Sequence, residues 1–222
     1  SAGGGGGGWV SDSIGPDGVD PRWTRTAAAC DFMEAAMPYF KRMHEMTPDH
    51  VHEEIQLLAI DFSSMFFETL APVPAWRDRF LATDQVPHYE YLKTVLKVLT
   101  FLRGGQRWVL KSPQHLEQYP AIRQVFPDAT VVVTHRDPVA VTASMVTMIA
   151  YTQRMQHERV DPHAVGALWS DRLQRMLGSA VGERELWPEA QSMGVRFGEF
   201  MADDLATVAA IYELANQPLD DR

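Results

Sequence analysis

The sequence predicts an α/β fold in which helices flank a parallel sheet and the N-terminal half is largely helical. Two short runs predict the sheet: Arg107–Lys111 is apolar after a turn, and residues 130–134 are β-branched. The intervening residues, 112–129, are long enough for a crossover that brings the second strand parallel to the first. Residues 23–105 lack strand patterns and show helical spacing between Pro and Gly breaks.

The N-terminal 105 residues are predicted to be a flexible segment followed by helices. Residues 1–22 contain a run of six glycines and a stretch rich in Gly, Pro, Asp and Ser, which favours a flexible segment. Helices are predicted over 23–46, over 51–70 after the start signal Thr47-Pro48, and over 87–103 before Gly104-Gly105.

The remaining chain is predicted to form a βαβα core over 106–151 and a helical C-terminal part over 161–222. Ser112-Pro113 and Asp137-Pro138 are helix-start signals directly after the two predicted strands. The sequence also favours a last strand at 195–197. We expect residues 23–222 to form one domain, because 222 residues with 45% hydrophobic content can build a sizeable core.

Composition excludes some functions. The net charge of −9 and pI near 5.3 argue against non-specific nucleic-acid binding, which needs a basic surface. No apolar run approaches the roughly 18 residues that a membrane span requires. Cys30 is the single cysteine, so no internal disulfide forms. We expect a buried structural thiol there and a reducing, cytoplasmic location.

Each predicted strand is followed by a cation. Lys111 follows the first strand and Arg136 follows the second. Ligands of open parallel sheets bind outside the carboxyl ends of the strands. Helix N-termini at the same place favour anions. The sequence therefore predicts a site for a polyanion such as a phosphorylated nucleotide.

Ser144 lies on one face of the helix that starts at Asp137, together with Val141 and Met148. Arg136 can fold back toward this hydroxyl, so that a phosphate between them receives a guanidinium fork and one hydroxyl hydrogen bond. In the alternative, Arg136 pairs with a helix carboxylate and Ser144 donates to the carbonyl of Ala140. Spacing alone leaves both open.

Three segments together resemble the sulfotransferase family: residues 108–116, residues 126–129, and His135-Arg-Asp-Pro138 with Ser144 eight residues after Arg136. The family uses 3′-phosphoadenosine 5′-phosphosulfate (PAPS) as donor. The resemblance implies a three-layer architecture like that of P-loop nucleoside kinases, no metal, and sulfuryl transfer to a hydroxyl or amine of a small-molecule acceptor. It further implies that Arg136 and Ser144 bind the 3′-phosphate and that Lys111 stabilises the leaving 5′-phosphate.

The general base is less well specified by this resemblance. His115 is a candidate, because imidazole titrates near neutral pH. It lies four residues after Lys111, whereas the family's cytosolic members carry a histidine two residues after the lysine, and other branches use a carboxylate from the N-terminal region. His115 is alternatively a helix-capping or donor-contact residue. A second polar cluster, residues 50–54, has metal-ligand residue types without a third ligand and is expected to be a solvated first helical turn.

The chain departs from the family in two loops: the N-terminal glycine-containing loop that binds the 5′-phosphosulfate, and the C-terminal basic loop that closes on the 3′-phosphate. Two other interpretations therefore stay open. The chain is an incomplete, non-catalytic sulfotransferase-like fragment, or it is another phosphate-handling transferase such as a kinase. No motif identifies the acceptor, and a homodimer is compatible with the sequence.

Overall fold

The computed structural model describes residues 18–219 and divides the chain into two compact units. The first unit takes the described residues up to Thr83, together with Glu90–Ser112 and Met148–Asp161. The second unit takes Asp84–Tyr89, Pro113–Thr147 and the described residues from Pro162 onward. Of the predicted flexible segment, 1–22, residues 1–17 lie outside the described part of the chain.

The first helix is shorter than predicted and begins earlier. It starts at Pro21, where Asp20 caps it by accepting the amide of Arg22 at 2.8 Å. It ends at Ala36 instead of residue 46, because Met37 precedes a proline and takes a non-helical conformation (φ −135°, ψ 73°). Cys30 on this helix is half-buried, not fully buried as expected.

The rest of the first unit is built from short helices. The helix predicted over 51–70 is two helices, because Phe62 between them has a left-handed backbone (φ 53°). The described helices up to residue 103 are α1 (Pro21–Ala36), α2 (Ile55–Ile60), α3 (Phe66–Leu70), α4 (Pro74–Ala82) and α5 (Val86–Arg103), with a 3-10 helix at Phe40–Arg42. The first turn of α5, up to Tyr89, belongs to the second unit.

Helix α5 ends as the sequence predicts. Gly104 and Gly105 have positive φ angles of 73° and 98°, which glycine adopts without steric cost. The amide of Gly104 donates to the carbonyl of Thr100 at 2.8 Å and closes the last turn. The helix thus ends at the double glycine, and residues 106–112 that follow have no helix or strand structure.

The second unit contains a two-stranded parallel sheet among the described residues. Strand β1 (Val131–His135) pairs with β2 (Ser192–Arg196), in a register that places Val131 opposite Ser192 and His135 opposite Arg196. The described helices after α5 are α6 (Tyr119–Val125), α7 (Pro138–Thr152), α8 (Pro162–Gly182), α9 (Phe197–Ala202) and α10 (Asp204–Leu214), and 3-10 helices cover Pro113–Glu117, Gln153–Met155, Arg184–Leu186 and Glu189–Gln191.

Behind β1 lies a compact apolar core. Tyr119, Ala180 and Trp187 are buried there, with the Tyr119 and Trp187 rings edge-on at 6.2 Å. Next to it, the buried Arg172 of α8 forms an ion pair with the buried Glu117 of the 3-10 helix Pro113–Glu117. Their exposed side-chain fractions are 1% and 4%. This ion pair links the 3-10 helix that carries His115 to α8.

The predicted strand at residues 107–111 is wrong. The segment has no regular secondary structure and belongs to no sheet among the described residues, and Val109 is 94% exposed. Strand structure requires a neighbouring backbone to complete its hydrogen bonds, and an apolar run cannot supply one. The last strand, predicted over 195–197, is present as residues 192–196, and Phe197 instead begins a helix.

None of the helices described between residues 18 and 219 is both long enough and apolar enough to cross a lipid bilayer.

Candidate functional site

The carboxyl ends of β1 and β2 open into a pocket of about 420 Å³. Because the strands are parallel and paired in register, His135 and Arg196 lie side by side, and Arg136 and Phe197 follow them. The pocket is lined by these four residues together with Asp137 and Gly198. It occupies the position at which parallel sheets commonly bind ligands.

Arg136 is fixed at this pocket by an aromatic ring. Its guanidinium carbon lies 4.7 Å from the centroid of the Phe197 ring, within the range of a cation–π contact. No carboxylate of residues 18–219 forms an ion pair with it. The planar guanidinium therefore keeps its fork of donors for an anion.

Arg196 adds a second guanidinium to the same pocket. Its Nη1 lies 3.6 Å from Oε1 of Glu199, and the two side chains are 78% and 64% exposed. Such an exposed pair contributes little to stability. The pocket's own carboxylate, Asp137, accepts the amide of Val139 at 2.9 Å and caps α7, as predicted.

A glycine makes room for the histidine of the pocket. A Cβ atom at Gly194 would lie 2.9 Å from Nε2 and 3.2 Å from Cδ2 of His135. These distances are shorter than a carbon atom tolerates, so the observed ring position requires glycine there.

The structure does not join Ser144 to Arg136. Ser144 lies exposed on α7 and is not among the residues that line the pocket. In the described part of the chain its hydroxyl forms no hydrogen bond with Arg136 or with the carbonyl of Ala140. Neither of the two arrangements considered from the sequence is thus seen, and phosphate binding by Ser144 stays a prediction.

Lys111 belongs to the first unit and contacts two carboxylates there. Its amine forms an ion pair with Oε1 of Glu53, and its amide donates to Oε2 of Glu54 at 2.8 Å. Partial burial lowers the pKa of the amine, although the side chain is 74% exposed. The expectation of a solvated helical turn at 50–54 is wrong, because Glu54 is buried and α2 begins only at Ile55.

The histidines near these carboxylates gather without forming a metal centre. The rings of His44, His50 and His52 lie 5.4 to 6.5 Å apart between centroids. Burial, and then the neighbouring His50 and His44, lower the pKa of His52. No group of three metal-ligating side chains with suitable geometry occurs between residues 18 and 219.

His115 belongs to the second unit, in the 3-10 helix Pro113–Glu117. Its Nδ1 lies 2.8 Å from the hydroxyl of Tyr89, and the two ring centroids are 5.7 Å apart. Tyr89 is 1% exposed, so it acts as a buried support for the histidine ring. The contact holds the imidazole ring through its Nδ1 atom.

Sequence reasoning missed several residues at these places. Arg196 and Phe197 fall in the predicted last strand but carry no predicted role, because their position beside Arg136 depends on pairing across sixty residues. Glu53 and Glu54 looked like a surface turn. Their signal was weak, because adjacent carboxylates before an apolar helix are common on protein surfaces.

Comparison with known proteins agrees with this geometry. A model of the sulfotransferase family matches residues 12–221. Two solved structures are similar: sulfotransferase STF1 from Mycobacterium tuberculosis H37Rv, with 31% identity and a TM-score of 0.79, and sulfotransferase STF9 from Mycobacterium avium, with 26% identity and a TM-score of 0.75.

The first alignment covers 90% of this chain and 55% of STF1, and the second covers 91% of this chain and 53% of STF9. The chain thus spans little more than half the length of each. No curated protein matches it. The similarity extends through both units and confirms the α/β fold with helices around a parallel sheet.

Proposed function

The chain belongs to the sulfotransferase family, and on that premise we propose that it transfers a sulfuryl group from PAPS to a small-molecule acceptor. The acceptor supplies a hydroxyl or an amine. The observation that carries the proposal is the pocket at the ends of β1 and β2, where Arg136 lies over Phe197 without a carboxylate partner among the described residues. An arginine held in this way suits a phosphate, which accepts two parallel hydrogen bonds from its fork.

Arg136 is proposed to bind the 3′-phosphate of the donor. A guanidinium stays charged at any pH at which a protein is folded, so the contact persists over a wide range. Ser144 is proposed as an added hydroxyl donor to the same phosphate, which requires the ligand to bring the two side chains together.

Lys111 is proposed to stabilise the 5′-phosphate as it leaves. Sulfuryl transfer resembles phosphoryl transfer in depending on in-line positioning and charge stabilisation. The ion pair with Glu53 is read as the arrangement without ligand, because the Lys111 side chain is 74% exposed and can exchange Glu53 for another anion.

His115 is proposed as the general base. The acceptor oxygen or nitrogen attacks sulfur, the bond between sulfur and the 5′-phosphate oxygen breaks, and the histidine takes the acceptor's proton. The products are the sulfated acceptor and adenosine 3′,5′-bisphosphate. The role requires the tautomer in which Nδ1–H donates to the Tyr89 hydroxyl, which leaves Nε2 unprotonated, and the 2.8 Å contact is compatible with that direction.

Calorimetric titration with adenosine 3′,5′-bisphosphate tests the proposal. We expect the full chain to bind it, and Arg136→Ala to weaken binding at least about 100-fold, as loss of a bidentate charged contact should. Arg103→Ala is the matched control, because it removes the same charge from an exposed end of α5.

Three outcomes separate the interpretations. Unchanged affinity in Arg136→Ala would remove this residue from the site. Binding of the bisphosphate without turnover of PAPS, across a panel of phenols and amines, would favour the non-catalytic alternative. Binding of adenosine triphosphate with magnesium in preference to the bisphosphate would favour a kinase.

A further inference from the structure

The pocket at the ends of β1 and β2 has two guanidiniums and one carboxylate. Arg136 and Arg196 both line it, while Asp137 already accepts the amide of Val139. Neighbouring strands lie about 4.8 Å apart, so side chains from adjacent strand ends can reach one small anion. The balance of charge in this pocket is positive, on a chain whose net charge is −9.

Arg196 is available to such an anion. Its contact with Glu199 is long, 3.6 Å, and both side chains are largely exposed. An exposed pair of this kind stabilises the protein very little, so exchanging Glu199 for a ligand costs little. By contrast, Ser144, the second phosphate ligand predicted from the sequence, does not line the pocket.

The charge of the ligand explains why two cations are useful. A terminal phosphate monoester carries about −1.5 to −2 charges at pH 7, whereas a phosphodiester carries one. One arginine therefore leaves part of the charge of a 3′-phosphate uncompensated. A second guanidinium from the neighbouring strand supplies the balance and adds directional hydrogen bonds.

We infer that Arg196 is the specificity-determining residue for the 3′-phosphate, acting beside Arg136 to distinguish 3′-phosphorylated adenosine nucleotides from adenosine 5′-phosphates. This inference rests on the proposed function and deepens it. Arg136, which lies against Phe197, supplies the fixed contact, and Arg196 supplies the discrimination.

The test compares two ligands on the full chain by calorimetry: adenosine 3′,5′-bisphosphate and adenosine 5′-monophosphate. Arg196→Ala should weaken binding of the bisphosphate about 10- to 100-fold, the effect of losing a charged hydrogen bond, and should change binding of the monophosphate less than about twofold. Arg196→Lys keeps the charge but not the fork, so it should fall between the two.

Arg103→Ala should bind both ligands as the unmodified chain does, and thermal melting should confirm that Arg196→Ala, at an exposed position, keeps the fold. If Arg196→Ala retains the preference for the bisphosphate while Arg136→Ala loses binding, the inference is overturned and the proposed function stands. Equal weakening of both ligands also overturns it. If the unmodified chain binds neither ligand, both the proposed function and the inference fail.

Discussion

Two segments of this chain look alike as sequences and fold differently. Residues 107–111 and 131–135 are both short runs with an apolar centre; the first ends in the cation Lys111, the second is followed by Arg136, and a helix-start signal comes after each cation. The second becomes strand β1 and pairs with β2. The first has no regular secondary structure and is largely exposed, and it pairs with no described strand.

The cations at the two ends differ in the same way. Arg136 lies against a ring supplied by the neighbouring strand end, whereas Lys111 pairs with a carboxylate just before α2. Pairing with a neighbouring strand thus does more than complete the backbone hydrogen bonds of β1. It also places the side chains that surround Arg136. We expect Arg136 to act mainly in donor binding and Lys111 mainly in the chemical step.

The largest effect should come from Lys111→Ala. Removing a group that stabilises transition-state charge typically lowers kcat about 100- to 1,000-fold. Measured with PAPS and whichever phenol or amine turns over fastest, kcat should fall by this factor, while the affinity for adenosine 3′,5′-bisphosphate changes only a few-fold.

Lys97→Ala, at an exposed position on α5, is the matched control and should be active. Glu53→Gln should keep kcat within about threefold if Glu53 serves only as the resting partner of Lys111. A lysine variant with normal kcat and weakened donor binding would reverse the roles that we assign to the two cations.

A smaller effect should distinguish the two apolar runs by stability. Val133→Ala, in the paired strand, should lower the free energy of unfolding by about 1–2 kcal/mol, because it removes half-buried methyl groups and strand propensity. Val109→Ala, at a side chain that is 94% exposed, should change it by less than about 0.5 kcal/mol.

Equilibrium urea unfolding of both variants measures the difference directly. Equal destabilisation by the two substitutions would mean that residues 107–111 are packed as a strand in solution, and the contrast between the segments would then disappear.

The smallest effect should come from Gly194→Ala. The added methyl group would lie 2.9 Å from Nε2 of His135 and should displace this ring within the pocket. Because the ring is exposed and can move, the melting temperature should be nearly unchanged. The affinity for adenosine 3′,5′-bisphosphate should fall about two- to fivefold, which corresponds to less free energy than one typical hydrogen bond contributes.

The double variant Gly194→Ala, His135→Ala separates crowding from backbone strain. If the methyl group acts by displacing the ring, adding it to the His135→Ala background should have no further effect on affinity. A full second loss would place the effect in the backbone of β2 instead.

The amino-acid sequence by itself determined much of the local structure. Asp137 caps α7 and Gly104 and Gly105 end α5, as predicted, and the β-branched run 130–134 forms β1 with bounds shifted by one residue, to 131–135. These features follow from steric limits and hydrogen bonding within a few residues, so they can be seen in the sequence. The family was also recognisable, because its motifs around Lys111 and Arg136 are local.

The tertiary structure alone decided what surrounds each predicted site residue. Phe197 and Arg196 reach Arg136 through strand pairing with residues sixty positions away, Tyr89 reaches His115 from α5, and Glu53 and Glu54 reach Lys111 from before α2. Whether residues 107–111 pair as a strand was decided in the same way. Periodicity records which faces of a segment are apolar, whereas contacts between distant segments depend on packing that no local pattern encodes.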